Sequence, residues 1–196
     1  MIQAQPQIVL ASTSPFRREL LSRLCIPFEI VSPAVDESQL PGETPEVMVQ
    51  RLSEAKARAG AAQFPRALVI GSDQVAVVDD EVLGKPGDHE RARAQLQKLS
   101  GRTVSFLTGL CLYNAASGIA ETRLVPFRVR FRTLDEARIE RYLQREQPYN
   151  CAGSFKSEGL GITLFKAMEG DDPTSLIGLP LITLTSLLAK AGVVLP

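Results

Sequence analysis

The sequence predicts an α/β fold with a mixed sheet, and two observations carry that expectation. First, continuous apolar runs such as Ile8-Val9-Leu10-Ala11 and Ala67-Leu68-Val69-Ile70 alternate along the chain with segments of helical periodicity, the order expected when helices cover the faces of a sheet. Second, the long strand-like segments Thr103 to Tyr113 and Ile119 to Arg132 are joined by a short turn near Ser117-Gly118. A connection that short pairs strands antiparallel, so the sheet cannot be wholly parallel.

Taken in order, Ile8 to Ala11 reads as a buried strand, and the hydroxyl-rich turn Ser12-Thr13-Ser14-Pro15 follows. Ser14-Pro15 suits the N-cap and first position of a helix, which Phe16, Leu20, Leu21 and Leu24 continue at helical spacing up to Pro27. Phe28 to Val31 is a second strand, and Ser32 to Pro45 a loop rich in proline and acid. Val49, Leu52, Ala55 and Ala59 mark a helix from Pro45 to Gln63. The strand Ala67 to Ile70 is expected to end in the polar run Gly71-Ser72-Asp73-Gln74. Val75 to Leu83 reads as a hairpin turning at Asp79-Asp80 and closed by Gly84-Lys85-Pro86. Asp88 to Leu99 is a helix broken by Gly101. Within the second long strand, Phe127, Val129 and Phe131 alternate with Arg128, Arg130 and Arg132, as on a half-buried strand. Leu134 to Leu143 is helical, Gly153 to Gly161 a glycine-rich loop, Ile162 to Phe165 a strand and Pro180 to Ala191 a closing helix. No repeat, low-complexity tract or linker interrupts the series, so residues 1–196 read as one domain, built as two lobes with a cleft.

Composition narrows the function. Acidic and basic residues balance at 22 each, whereas duplex-binding proteins draw affinity from an excess of cations on phosphates. Nucleic acid is therefore not the expected partner. The stretch Met1 to Gln7 lacks the basic and apolar regions of a secretory leader, and no apolar run approaches the ~20 residues that span a bilayer. Cys25, Cys111 and Cys151 are too few and too widely spaced for a disulfide framework or a zinc site. A cytoplasmic location is expected. His89 is the only histidine, and it sits in what reads as the exposed start of a helix, so catalysis must come from carboxylates, cationic side chains and a metal.

Four groups of residues could supply that chemistry. Ser12 to Arg18 places hydroxyls, guanidinium groups and free backbone N–H groups at a helix N-terminus, the ingredients of an anion site and equally of an ordinary capped turn. No Walker-type phosphate loop is present. Gly71-Ser72-Asp73-Gln74 lies after a core strand, where α/β proteins place ligands; its acid could hold a divalent ion, act as general base, or merely cap the turn. Glu37, Lys56 and Lys85 are charges that spacing alone cannot separate from solvated surface. Gly153 to Gly161 allows close backbone approach to a ligand.

Taken together, these segments resemble the Maf family of nucleotide pyrophosphatases nearly from end to end. The resemblance rests on Leu10-Ala11-Ser12-Thr13-Ser14-Pro15 with Arg17, Val35-Asp36-Glu37, Arg51-Leu52 with Lys56, and Gly71-Ser72-Asp73-Gln74. It continues through Gly84-Lys85-Pro86, Leu99-Ser100-Gly101, Ala152-Gly153-Ser154 and Gly178-Leu179-Pro180. Gln74, Phe155-Lys156-Ser157-Glu158-Gly159 and the aromatic Phe16 after Ser-Pro are similar to the YceF-like branch, which hydrolyses 7-methyl-GTP. That branch usually carries Trp where Phe16 stands.

The resemblance implies a mixed, strongly bent β-sheet flanked by helices, with two lobes and a central cleft, as in inosine triphosphatases. It implies that Ser12, Arg17, Lys56 and Lys85 hold a triphosphate, and that Glu37 and Asp73 bind Mg²⁺ or Mn²⁺. Asp73 would also accept the proton of the attacking water, and Phe16, Gln74 and Glu158 would select the base. The partner implied is a small nucleotide, with no nucleic acid or membrane; a homodimer is compatible with the sequence, which does not fix oligomeric state. Two other expectations stand beside this one: the same chemistry on dTTP, UTP or another nucleotide, and a non-catalytic nucleotide-binding regulator of cell septation. The presence of Glu37, Asp73 and Lys85 together argues against a pure binder, which needs no base beside its metal.

Overall fold

A computed structural model describes residues 6–195. The amino-terminal stretch read above for a leader falls largely on residues 1–5, outside the described residues. The elements run β1 (Ile8–Ala11), α1 (Pro15–Ser22), β2 (Glu29–Val31), α2 (Pro45–Ala61), β3 (Leu68–Val78), β4 (Glu81–Leu83), α3 (His89–Leu99), β5 (Thr103–Asn114), β6 (Ile119–Phe131), α4 (Glu136–Glu146), β7 (Phe165–Glu169) and α5 (Leu181–Lys190). Three short 3-10 turns, Ala152–Ser154, Leu160–Leu164 and Pro173–Ile177, are added to these. The strands form one sheet in the order β2-β1-β3-β5-β6-β7, with β4 paired to β3. β1 lies parallel to both β2 and β3, whereas β3–β4 and β6–β7 are antiparallel. The sheet is mixed, as the sequence predicts.

The chain divides into two compact units: Met1–Gln74 with Thr108–Val125 and Asp172–Pro196, and Val75–Leu107 with Pro126–Asp171. Strands β3, β5 and β6 contribute residues to both. In the first unit β1 is buried on both faces, which explains its unbroken apolar run. Leu10 and Ile70 pack on one side with Leu20, Leu184 and Leu188 of α1 and α5. Val9, Ala11 and Val69 pack on the other with Ala57 and Ala61 of α2. Ser14 caps α1 by accepting the Arg17 N–H, and Pro15 follows at its first position.

The second unit is built from hairpins and a ring cluster. β3 turns into β4 through Asp79 and Asp80, both at positive φ (47° and 62°), the backbone that a two-residue hairpin requires and that Asp tolerates better than most residues. Phe155 stacks edge-to-face with Phe106, Phe131 and Phe165 at centroid distances of 5.2, 5.4 and 4.9 Å. On β6, Phe127, Val129 and Phe131 are buried and Arg128 and Arg130 exposed, as is Arg132 just after the strand, in keeping with their alternation.

Three expectations need correction. β3 does not end at Ile70 but runs through the polar residues to Val78. It pairs with β1 over Leu68–Ile70 and with β4 over Ala76–Val78, so Gly71 to Val75 bridge a change of neighbour within one strand. The strand expected at Ile162–Phe165 is instead a 3-10 turn followed by β7 from Phe165. Gly161 donates to the Lys156 carbonyl, and this tight fold keeps the chain from extending earlier. Finally, α4 starts at Glu136 rather than Leu134, because the Asp135 carboxylate caps the Arg138 N–H at 2.7 Å.

Candidate active site

The first unit brings its charged candidates together by pressing a helix backbone onto the sheet. A Cβ on Gly71 would lie 2.1 Å from the Ser53 carbonyl oxygen and 2.7 Å from the Ala57 nitrogen, and one on Gly109 would lie 2.1 Å from the Val49 oxygen. Only glycine at these two strand positions lets α2 approach so closely. The approach buries Lys56, which is 5% exposed, beside Asp73, which is 8% exposed. The Lys56 ammonium lies 2.6 Å from Asp73 Oδ1 and 2.7 Å from Glu37 Oε1, the latter on a largely exposed side chain. A buried ammonium is tolerated only when paired, and here two carboxylates converge on it. Asp73 stands inside β3, not at its end as the sequence led one to expect. It does lie just beyond the parallel β1–β3 pairing, the edge at which such sheets place ligands.

Ser12 leaves β1 at the same level, since Leu10 is in register with Ile70. It is buried, and its Oγ accepts the Ser14 N–H at 3.1 Å, so its own O–H stays available to donate. Arg17 donates from Nε to the Gly178 carbonyl at 2.8 Å, using one of its five N–H groups. Burial lowers the Arg17 guanidinium from its ordinary value, and the charges of Asp73 and Glu37 oppose that shift. Arg17, Glu37, Lys56 and Asp73 thus form one electrostatic group. Phe16 is half-buried at the second position of α1.

Gln74 is anchored differently from a residue held ready for a ligand. Its Nε2 donates to Ser175 O at 2.5 Å and to Thr108 Oγ1 at 3.0 Å, which occupies both amide hydrogens. Only its Oε1 remains to meet a base. The Ser72 hydroxyl shares its one hydrogen between the carbonyls of Gly109 and Gly178, at 2.8 and 2.9 Å. The turn that receives these bonds is itself organised by Asp172, 1% exposed. That carboxylate accepts from Thr174 N, Thr174 Oγ1 and Thr183 N. Asp172 and Thr108 are positioning residues the sequence reading missed; Asp172-Pro173-Thr174, a polar turn signal, could have pointed to the first.

Lys85 and Glu158 belong to the second unit. The turn carrying Lys85 is pinned on both sides, by Gln95 donating to Gly84 O at 3.1 Å and by Gly87 donating to Tyr149 O at 2.9 Å. Gln95 in turn accepts from Ser154, which joins two of the short motifs, Gly84-Lys85-Pro86 and Ala152-Gly153-Ser154, through a residue of neither. Glu158 is exposed and accepts from Ser157 Oγ at 3.1 Å. Burial raises the Cys151 thiol above its ordinary value; Glu158 adds to the shift, while Lys156 and Lys85 oppose it, so Lys85 and Glu158 both act on one locality. His89 is not the exposed helix start expected: its ring nitrogens meet Tyr149 OH at 3.1 Å and Glu140 Oε2 at 3.0 Å, and it ties α3 to α4.

No cluster of three or more His, Cys, Asp or Glu suited to a metal occurs among the described residues. The donor set that does exist, two carboxylates facing one cation, is composed of hard oxygens and suits a hydrated Mg²⁺ or Mn²⁺ rather than a soft metal.

The chain that carries this mixed α/β sheet and its buried cation–carboxylate group belongs to a known family: the Maf-like protein family matches residues 7–191. Among similar proteins, one from Nitrosococcus oceani is 60% identical over 96% of this chain and 95% of its own length, and is named 7-methyl-GTP pyrophosphatase. Proteins of the same name from Alcanivorax borkumensis and Pseudomonas aeruginosa are 58% and 56% identical, covering 100% and 97% of this chain and the whole of their own. Among solved structures, the Staphylococcus aureus Ham1 protein is similar over 64% of this chain and 71% of its own, at 14% identity and a TM-score of 0.45.

Proposed function

We propose that this chain hydrolyses 7-methyl-GTP to 7-methyl-GMP and pyrophosphate. The observation that carries the reading is the convergence of Glu37 and Asp73 on the buried Lys56 ammonium, with Arg17 in the same electrostatic group. The names of the 56–60% identical relatives support the choice of substrate. A triphosphate carries about four negative charges, and cationic side chains offset the charge that develops on the leaving pyrophosphate. In this reading Ser12, Arg17, Lys56 and Lys85 hold the phosphates. Asp73 takes a proton from water as its oxygen bonds to the α-phosphorus. The bond from that phosphorus to the bridging oxygen breaks, and its electron pair leaves with pyrophosphate. Glu37 and Asp73 would hold Mg²⁺ or Mn²⁺, which supplies further charge neutralisation at the phosphate oxygens when bound.

Base choice falls to Phe16, Gln74 and Glu158. Methylation at N7 leaves a delocalised positive charge on guanine, so an aromatic face gains a cation–π contact of roughly 0.5–2 kcal/mol. The Glu158 carboxylate accepts from the N1–H and N2–H₂ donors of guanine and repels the carbonyl oxygens of thymine and uracil. Gln74 contributes its Oε1 alone. The whole chain acts as one functional domain, in the cytoplasm, where free Cys25, Cys111 and Cys151 stay reduced.

The test is pyrophosphate release from 7-methyl-GTP, GTP, dTTP and UTP. The expected result is the highest kcat/KM for 7-methyl-GTP, loss of turnover in EDTA and its return with Mg²⁺ or Mn²⁺. Preference for dTTP or UTP overturns the base assignment, turnover in excess EDTA overturns the metal, and nucleotide binding without any release overturns the enzyme.

A further inference from the structure

The last turn of α4 holds an acid that neither the reaction nor the helix requires. Glu146 ends α4, where the helix dipole favours cations and disfavours a carboxylate. Its side chain is 13% exposed, so it is not a solvated surface charge. Oε2 accepts the Leu160 N–H at 2.6 Å, and Oε1 lies 3.9 Å from the Lys156 ammonium. One turn earlier on the same face, the Tyr142 hydroxyl oxygen accepts the Lys156 N–H at 3.1 Å. The segment Lys156 to Leu160 is therefore clipped to α4 at both ends. Within it Gly159, and just beyond it Gly161, donate their N–H groups back to the Lys156 carbonyl at 3.2 and 3.0 Å. Glu158 stands between the clips.

Gly159 gives an independent sign of the same fit. A Cβ there would lie 2.6 Å from Glu146 Oε2 and 2.8 Å from Oε1, so the backbone is seated against the carboxylate with no room for a side chain between them. The φ of Gly159 is −117°, so the left-handed region is not what calls for glycine there; the three heavy atoms nearest the added carbon all belong to the Glu146 carboxylate.

We infer that Glu146 is a positioning residue for base selection: by seating Gly159 and Leu160 on α4, it fixes where Glu158 presents its carboxylate. The inference rests on the reading of Glu158 as the base-selecting acid. A carboxylate that discriminates by hydrogen bonding must be held in place, because misplacement of about an ångström is enough to lose roughly 100-fold. The fit of Gly159 and Leu160 against the carboxylate points to this residue.

The experiment measures kcat/KM for 7-methyl-GTP and dTTP in the wild type, Glu158→Gln, Glu146→Ala, Glu146→Gln, Gly159→Ala and the double variant Glu146→Ala/Gly159→Ala, with a melting curve for each. Glu146→Ala is expected to lower the 7-methyl-GTP to dTTP ratio by roughly 10- to 100-fold, chiefly through KM for 7-methyl-GTP. Glu146→Gln keeps an acceptor for Leu160 and stays within about fivefold of the wild type. Gly159→Ala lowers the ratio as Glu146→Ala does, and the double variant is no worse than Glu146→Ala alone, since the added methyl then meets no carboxylate. Should Glu146→Ala not fold, Gly159→Ala and Glu146→Gln carry the comparison. If Glu158→Gln changes the ratio while Glu146→Ala and Gly159→Ala merely lower kcat for both nucleotides equally, the positioning role is overturned and the base reading survives. If Glu158→Gln leaves the ratio unchanged, both fall.

Discussion

The two units solve the problem of holding charged groups in different ways. In the first, Lys56 and Asp73 are buried because two strand glycines admit the backbone of α2 against the sheet. Position is set there by backbone contact, and the charges compensate one another inside the fold. In the second, Lys85 and Glu158 sit on turns, and position is set by side chains reaching from helices: Gln95 to the Lys85 turn, Glu146 and Tyr142 to the Glu158 turn. Stability there comes from the interlocked rings of Phe106, Phe131, Phe155 and Phe165. The contrast cuts across the roles proposed: of the phosphate-holding residues, Lys56 is set by backbone contact and Lys85 by a tethered turn, and of the base-selecting residues, Gln74 is anchored within the sheet and Glu158 sits on a turn clipped to α4.

Each side of the contrast can be broken separately. The largest effect is expected from Asp73→Asn, which keeps an oxygen for Lys56 but removes the carboxylate proposed to accept the proton; kcat should fall ~10²–10⁴-fold while a melting curve shows a folded protein. Near-normal turnover would take Asp73 out of the mechanism. Next comes Phe155→Ala, which empties the centre of the ring cluster and should cost about 3–5 kcal/mol in urea denaturation; a loss below about 1 kcal/mol would show that the rings do not hold the second unit. Gly71→Ala sharpens the comparison from the other side. Its methyl must displace α2 and should cost ~1–3 kcal/mol, whereas Gly84→Ala, with nothing within 4 Å of the added carbon, meets no such clash. Equal losses at the two positions would remove the case for backbone-set geometry.

The smallest effect concerns the loop before α2. Hydrogen bonds from Arg51, at 2.6 and 2.7 Å, hold the Glu43 carboxyl down to about 2 from its ordinary 4.5. A depressed carboxyl stabilises the folded state fully above its unfolded value, and that contribution is lost as pH falls from 4.5 towards 2. Urea midpoints of the wild type and Arg51→Met should therefore differ at pH 7 and converge as the pH is lowered through that window. A gap that stays constant to the acid end would show that the pair adds nothing through ionisation.

Where local signals decide the structure, the sequence was readable. Ser14-Pro15 announces α1 and Asp79-Asp80 the hairpin, because capping and turn chemistry act over a few residues. The anchoring of Gln74 was hidden for the opposite reason: its partners, Thr108 and Ser175, come from distant segments. Gly71 looked like the start of a turn, since a glycine needed for close approach by a helix is indistinguishable in sequence from one needed for a bend. The apolar run after Gly161 has no period that separates a short strand from a 3-10 turn. The candidate residues themselves were found through resemblance more than through spacing, and Glu146 through neither.

The change of neighbour within β3 also bears on how the protein assembles. Ala76 to Val78 meet Glu81 to Leu83 across a two-residue turn, a pairing that closes within microseconds in isolated hairpins. Leu68 to Ile70 must instead find β1, with all of α1, β2 and α2 intervening, and such non-local pairings form late because the loop entropy is lost before contacts repay it. Asp73 lies at the seam between the two. The hairpin half of the strand can be nucleated early, but Asp73 meets the Lys56 ammonium only once α2 has docked on the sheet, so the buried carboxylate–ammonium pair is a product of late, non-local assembly.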